Sequence, residues 1–411
     1  MLRSGLQKLW FGLPRLKEVS FACLWLLALG VLPVKASALD IRVRLFSHTE
    51  IKHLRLGNHF GSFSLLAANR EGEVIDTVFD LYDATQQAAL EIAVGPYGLE
   101  LRSSEQLIGR FHRLLLLPAF DTAVFQVRAS GQHRIYRGRL DIWPRDEQLF
   151  VVNEVEIEEY VAGVVESEGG HIPSYEYFKA QAILARTFAI RNWRKHGAQG
   201  YNLKDDVSSQ VYHHMAYLQN APNIRTAVAQ TLDTIVVDAD CTPIQALFHA
   251  NSGGETAPSE DAWQTKISYL RGKQDPFSLK GPSARWEKRI GQKQMLDYLR
   301  RAFGSEVSDM VLKKALLNLP AHSRVGTLVV ADKKLKMREI RNAFQLRSAF
   351  FSVEESGEEF ILKGRGFGHG VGLAQDGAME MAKQGYCYQD ILYFYYTGIE
   401  LDQLSAYLDQ L

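Results

Sequence analysis

Near Val151 the hydrophobic spacing of this chain changes period, and that change restricts the fold more than any other feature. Before it the apolar residues alternate. Ile41-Arg42-Val43-Arg44-Leu45 reads as a strand, as does Leu99-Glu100-Leu101-Arg102 after the turn Gly95-Pro96-Tyr97-Gly98. Phe125 to Arg128 and His133 to Tyr136 flank Ser130-Gly131, a hairpin signature. Alternation of this kind suits antiparallel sheets with one wet face. After Val151 the spacing becomes helical: Ile157, Tyr160, Val161, Val164 and Val165 form one stripe, and Gly169-Gly170 stops it. Pro173-Ser174 opens a longer helix to about Lys195, with Phe178, Ala182, Ala185, Ala189 and Trp193 on one face. Further strands are expected at 234–237, 244–248, 327–330 and 360–362, and a helical stretch from Gln292 to Leu317. A glycine-rich turn, Gly364 to Gly372, leads into a helix through about Gln384, and an aromatic helical stretch, 393–396, follows. There is no regular βαβ alternation. The predicted class is α+β, with mixed, mainly antiparallel sheets and packed helices, preceded by a small β-rich region at 39–145.

The first 38 residues differ from the rest. Arg3, Lys8, Arg15 and Lys17 precede an apolar run, Val19 to Val34, interrupted only by Ser20, Gly30 and Pro33, and Ala36-Ser37-Ala38 follows. Basic, apolar and small-residue parts in this order predict a secretory signal cleaved after Ala38. The alternative is an uncleaved membrane anchor, for which the run is short and contains Pro33. Cys23 sits too early in the run for a lipoprotein. Cleavage leaves 42 basic against 46 acidic side chains. The whole chain has 47 of each, so no basic surplus points to nucleic acid as a partner. Cys241 and Cys387 survive processing and could pair in an oxidising compartment. Neither has a second cysteine at C-x-x-C spacing, so no zinc site is expected.

Four segments could carry chemistry. Gly364 to Gly372 places glycine at every second position around His369. No register of it gives G-x-G-x-x-G, and no Gly-Lys-Ser/Thr closes it, so neither nucleotide fingerprint applies. His369 either meets a ligand at the helix entrance or caps a tight turn. Glu166 and Glu168, two apart on a helix, point to different faces. Glu168 stands at the C-terminal end, where the helix dipole is already negative. That field raises a carboxyl pKa, which helps a general acid stay protonated near neutral pH. The plain alternative is a solvated glutamate in an acidic run. Asp205 to Tyr212 precedes His213-His214, but neighbouring residues on a strand face opposite sides, which argues against a metal pair. His249 to Thr256 places Ser252 before two glycines. No G-x-S-x-G elbow is present, so a polar substrate-contacting loop is preferred to a serine hydrolase.

Taken together these segments resemble the SpoIID/LytB family, stage II sporulation protein D and its amidase-enhancer relatives. Glu159 to Val165 leads to Glu168. Lys179-Ala180-Gln181-Ala182 through Ala185-Arg186-Thr187-Phe188-Ala189 resembles the family's K-A-Q-A-x-x-A-R-T-[YF]-A helix. Gln210-Val211-Tyr212, Ser252-Gly253-Gly254-Glu255-Thr256, Tyr269-Leu270 and Asp275-Pro276 follow in order. Gly366 to Ala378 resembles the closing G-x-G-H-G-V-G-[ML]-[SA]-Q-x-G-A. The likeness covers roughly residues 130–405, within a family-like domain set at 146–411. It implies a glycan-binding cleft and lytic cleavage of peptidoglycan between MurNAc and GlcNAc, with Glu168 as sole general acid, 1,6-anhydro ends and no cofactor. By motif position Gln210, Tyr212, Ser252, Thr256, His369 and Gln375 become candidates for lining the cleft. The competing implication is a non-catalytic wall-binding activator of a cell-wall amidase. Two departures stand out. Gly169-Gly170 follows the glutamate where the family usually has Met, and Ser208-Ser209 precede Gln210 where some relatives hold zinc with Cys and His.

Overall fold

A computed structural model of the chain describes residues 39–81, 89–169, 174–213, 221–263 and 265–410. The expected signal segment, with its cleavage point after Ala38, lies outside the described residues, as do Gly170 and His214. Among the described residues no helix is long and apolar enough to cross a membrane.

The first part of the chain is built from twelve strands: β1 (Asp40–Arg44), β2 (His53–Phe60), β3 (Phe63–Ala68), β4 (Val74–Leu81), β5 (Leu90–Gly95), β6 (Gly98–Ser103), β7 (Gln106–Phe111), β8 (Arg113–Pro118), β9 (Val124–Ala129), β10 (Gln132–Tyr136), β11 (Arg139–Arg145) and β12 (Gln148–Glu156). They form a six-stranded sheet, ordered β10-β9-β2-β5-β6-β7, and most of a seven-stranded one, β1-β12-β11-β8-β3-β4. Every ladder among these twelve is antiparallel. The expected hairpin is present: Ala129 pairs with Gln132, and Ser130 and Gly131 both have positive φ, 48° and 74°. That is the primed turn whose twist matches its strands.

Two helices follow, α1 (Ile157–Gly169) and α2 (Tyr175–Arg191). The apolar stripe of α1 and the alanine face of α2 are buried, and they join one hydrophobic cluster that runs from Ile41 in β1 to Tyr407 near the C-terminus. A Cβ on Gly169 would meet the Tyr177 and Phe178 rings at 3.5 Å, ordinary contact, so α2 packs close over the end of α1. The helix α2 stops at Arg191, short of the expected Lys195, and the chain turns so that β13 (Leu203–Lys204) can pair in parallel with β1.

Beyond it come α3 (Ala221–Gln230), β14 (Thr234–Val237), β15 (Phe248–His249) and α4 (Ser259–Ala262). Of the strand expected at 244–248 only Phe248 is in a strand, as the first residue of β15, which pairs with residues 373–374. Residues 285–365 then build a unit with its own core: β16 (Arg285–Gly291), α5 (Gln292–Phe303), α6 (Asp309–Leu317), β17 (Thr327–Val330), β18 (Lys333–Lys336), α7 (Met337–Ala343), β19 (Phe351–Ser356) and β20 (Glu359–Arg365). The helical stretch expected over 292–317 is two helices, since Gly304 leaves helical space at φ 114°. The chain returns through β21 (Leu373–Ala374), α8 (Gln375–Lys383), α9 (Tyr388–Tyr395) and β22 (Glu400–Gln403). The class is α+β with mainly antiparallel sheets, as the spacing predicts.

Candidate active site

The last turn of α1 carries Glu168 to the wall of an open cleft of 1320 Å³. A neighbouring loop holds it there. The Val211 N–H donates to a Glu168 carboxylate oxygen at 2.9 Å, and the His213 N–H donates to Ser167 Oγ at 3.1 Å. From the other side Gln375 Nε2, on the first residue of α8, donates to the Glu168 carbonyl at 2.9 Å. That carbonyl is one of the unpaired acceptors at a helix C-terminus, so Gln375 caps the helix through the catalytic candidate itself. Burial raises the Glu168 carboxyl pKa above its ordinary value, and the Val211 hydrogen bond partly offsets the rise. The direction matches the expectation from the helix end, but its cause is desolvation. Glu166 is not among the residues lining the cleft.

The six binding candidates divide evenly. Gln210, His369 and Gln375 line the cleft with Glu168. Gln210 is buried, its Oε1 accepts from Tyr160 Oη at 3.1 Å, and its Nε2 has no partner among the described residues. A buried orphan donor costs about 1–3 kcal/mol, so the position suits a ligand acceptor. His369 accepts from the Val371 N–H at Nδ1, 3.1 Å away, and also hydrogen-bonds the Phe248 backbone. Burial, with Arg341 nearby, pushes its pKa down to about 4, so the ring is neutral near pH 7.

Tyr212, Ser252 and Thr256 lie beneath the surface instead, which corrects the expectation that they line the cleft. Tyr212 is fully buried between the Tyr136 and Tyr160 rings, at 5.5 and 5.1 Å, and donates to Asn153 Oδ1 at 2.9 Å. Ser252 Oγ donates to Asp275 at 2.7 Å, and Thr256 Oγ1 accepts from the Lys273 N–H at 3.0 Å. These groups tie loops to one another. A nucleophilic role for Ser252 has no support, since its hydroxyl is buried and committed to a carboxylate.

The glycine-rich turn sets the far wall. Gly366, Gly368, Gly370 and Gly372 all have positive φ, and a Cβ on Gly372 would lie 2.0 Å from the Leu247 carbonyl oxygen. That close approach lets β15 pair in parallel with β21, which sets His249 beside Ala374 and delivers Gln375 to Glu168. Gly372→Ala is therefore expected to destabilise the fold by about 3 kcal/mol, through left-handed strain and a backbone clash. Chemical denaturation measures it; an unchanged midpoint would show that the turn tolerates a side chain.

Four of the other residues lining the cleft, His249, Trp263, Phe367 and Arg341, bear on its chemistry. His249 is buried; Val371 O lies 3.1 Å from its Nδ1, and its Nε2 has no partner among the described residues. It opens the segment His249 to Thr256, in which motif position picks out Ser252 and Thr256 and not the histidine. Trp263 and Phe367, exposed by 39% and 44%, also line the cleft. Arg341 comes from the 285–365 unit. Trp263 and Arg341 lie outside every marked motif, so no signal pointed to them.

One group among the described residues offers metal-ligand atoms together: His48, Asp205 and Asp206, within 4.8 Å of one another. Asp205 is already committed, to buried Arg134 at 2.6 Å and to the Phe46 and Ser47 N–H groups. None of the three lines the cleft. Cys241 and Cys387 are both free thiols.

Two family models match parts of the chain. A family model described as stage II sporulation protein matches residues 145–237, which include Glu168 and Gln210. A second, a domain of unknown function (DUF8618), matches residues 260–372. The chain is 34% identical over 281 residues to stage II sporulation protein D of Bacillus subtilis (strain 168), covering 63% of this chain and 78% of that protein. It is 33% identical over 273 residues to the protein of the same name from Bacillus amyloliquefaciens, with the same coverage of each chain. To the amidase enhancer of Bacillus subtilis it is 27% identical over 292 residues, 58% of this chain and 40% of that protein.

Proposed function

The chain belongs to the stage II sporulation protein D family, and on that premise we propose that it is an exported lytic transglycosylase that cuts peptidoglycan glycan strands. The family supports a role at the cell wall. The observation that carries the finer reading is Glu168: a carboxyl whose pKa burial raises, fixed by backbone bonds on an open cleft large enough for several sugar rings. A protonated carboxyl here gives its proton to the glycosidic oxygen between MurNAc and GlcNAc as the C1–O bond breaks. The MurNAc C6 hydroxyl attacks C1, the C1–O6 bond forms, and the hydroxyl proton returns to the Glu168 carboxylate. No water enters, so the paired carboxylates of hydrolytic glycosidases are not required. The second carboxylate lining the cleft, Asp238, accepts from the Asp240 and Thr242 N–H groups of its own turn. Trp263 and Phe367 supply flat apolar faces for pyranose rings, and Gln210 supplies a donor.

The acid must be protonated to act. With its pKa raised, activity is expected to persist above the ordinary carboxylate range and to fall as pH rises through the Glu168 pKa. A rate that rises through that range would contradict the assignment. Export rests on the secretory-type segment at 1–38, and a signal-to-reporter fusion tests it.

A second reading comes from the relative named as an amidase enhancer. In that reading the cleft binds glycan without cutting it and presents the wall to an amidase. Incubating the purified protein with sacculi, alone and with an added amidase, separates the two. Anhydro-muropeptides from the protein alone support the enzyme. Faster amidase release without them supports the enhancer.

A further inference from the structure

Beside the cleft lies an annex of 490 Å³, and the two share Trp263, Arg341 and His369 on their walls. Arg341 stands at the junction, and its pairing is incomplete. Its Nε donates to the Leu346 carbonyl at 3.3 Å, but its two Nη groups have no partner among the described residues. The other arginines of the annex are occupied: Arg324 donates to the Glu255 and Ser252 carbonyls, and Arg338 to Ala262. Burial pushes the Arg341 pKa down, and no carboxylate offsets this. A guanidinium that is partly desolvated and unpaired favours an anion able to take both Nη donors.

We propose that Arg341 marks a carboxylate-binding subsite at the junction of cleft and annex, which receives an acidic arm of the glycan substrate. The proposal rests on the glycan reading above for its ligand. A planar carboxylate matches the fork of the guanidinium, whereas a neutral hydroxyl leaves one donor unsatisfied. Asp261 and Glu339 line the annex but not the cleft, which favours the cleft-facing side of Arg341 for an anion. On a peptidoglycan strand that group is either the lactyl carboxylate of a MurNAc without its stem, or a carboxylate of the stem peptide.

The test measures binding of the Glu168→Gln protein, which holds glycan without turning it over, to two kinds of strand. One carries stem peptides and one has lost them, and each is used intact and with its carboxyls amidated by methylamine. Adding Arg341→Met is expected to weaken binding about 10- to 100-fold on at least one intact strand, with Arg341→Lys between. Amidation should weaken the parent equally and leave nothing further for Arg341→Met to remove. The strand on which amidation acts identifies the carboxylate. Equal binding by Arg341→Met and its parent, with matched thermal unfolding, overturns the proposal. So does a parent indifferent to amidation on both strands, an outcome that needs no arginine variant to fold. If the unmutated protein yields no anhydro ends while binding still depends on Arg341 and the carboxylate, the catalytic reading falls and the subsite stands.

Discussion

Glu168→Gln is expected to abolish release of anhydro-muropeptides while leaving attachment to the wall intact. Glutamine keeps the size of the side chain and an oxygen to accept the Val211 N–H, so the geometry at the end of α1 survives. It has no proton to give. The loss of a positioned general acid costs roughly 10²- to 10⁴-fold, and more where the leaving group cannot depart unprotonated. An alkoxide leaving group is such a case. Product release measured beside sacculus binding separates lost chemistry from lost fold. A Glu168→Gln protein that cuts at the normal rate would remove Glu168 from the mechanism.

Asp205→Ala is expected to produce the largest loss of stability, about 3–5 kcal/mol. Asp205 is fully buried and pairs with Arg134, which is itself only 2% exposed. The same carboxylate accepts from the Phe46 and Ser47 N–H groups and from Ser47 Oγ. Alanine leaves a buried guanidinium without its counter-charge and the Phe46 and Ser47 N–H groups without their acceptor, while Ser47 Oγ keeps Asp206. The effect reaches the site, because Asp205 anchors the loop whose Val211 N–H holds Glu168 and whose Gln210 faces the cleft. Denaturant unfolding should show a lower midpoint at an unchanged slope. A midpoint within about 0.5 kcal/mol of the parent would mean that the ion pair contributes nothing net.

The layout was legible where periodicity decides it. The alternation before Val151, the Ser130-Gly131 turn and the stripe from Ile157 to Val165 all became the elements their spacing predicts. Single residues with unusual backbone angles were harder: Gly304 split a helical pattern that continues on both sides of it. The site was legible in part for a related reason. A motif marks residues that the fold constrains, and it does not say which of them face solvent. Tyr212, Ser252 and Thr256 are held by buried hydrogen bonds under the cleft, whereas His249, from the same marked segment, lies on its wall. Trp263 and Arg341 reach the cleft only through tertiary packing, Arg341 from the separate core of residues 285–365. No local pattern records such an arrangement.

The most direct test of the central claim is the chemistry of the ends made by the purified, unmutated protein acting alone on sacculi. Digestion products are reduced with borohydride and weighed by mass spectrometry. Intramolecular attack by the C6 hydroxyl predicts MurNAc ends that resist reduction and weigh one water less than hydrolytic ends. Reducible ends, or strands left uncut by folded, wall-bound protein both with and without their stem peptides, would contradict it.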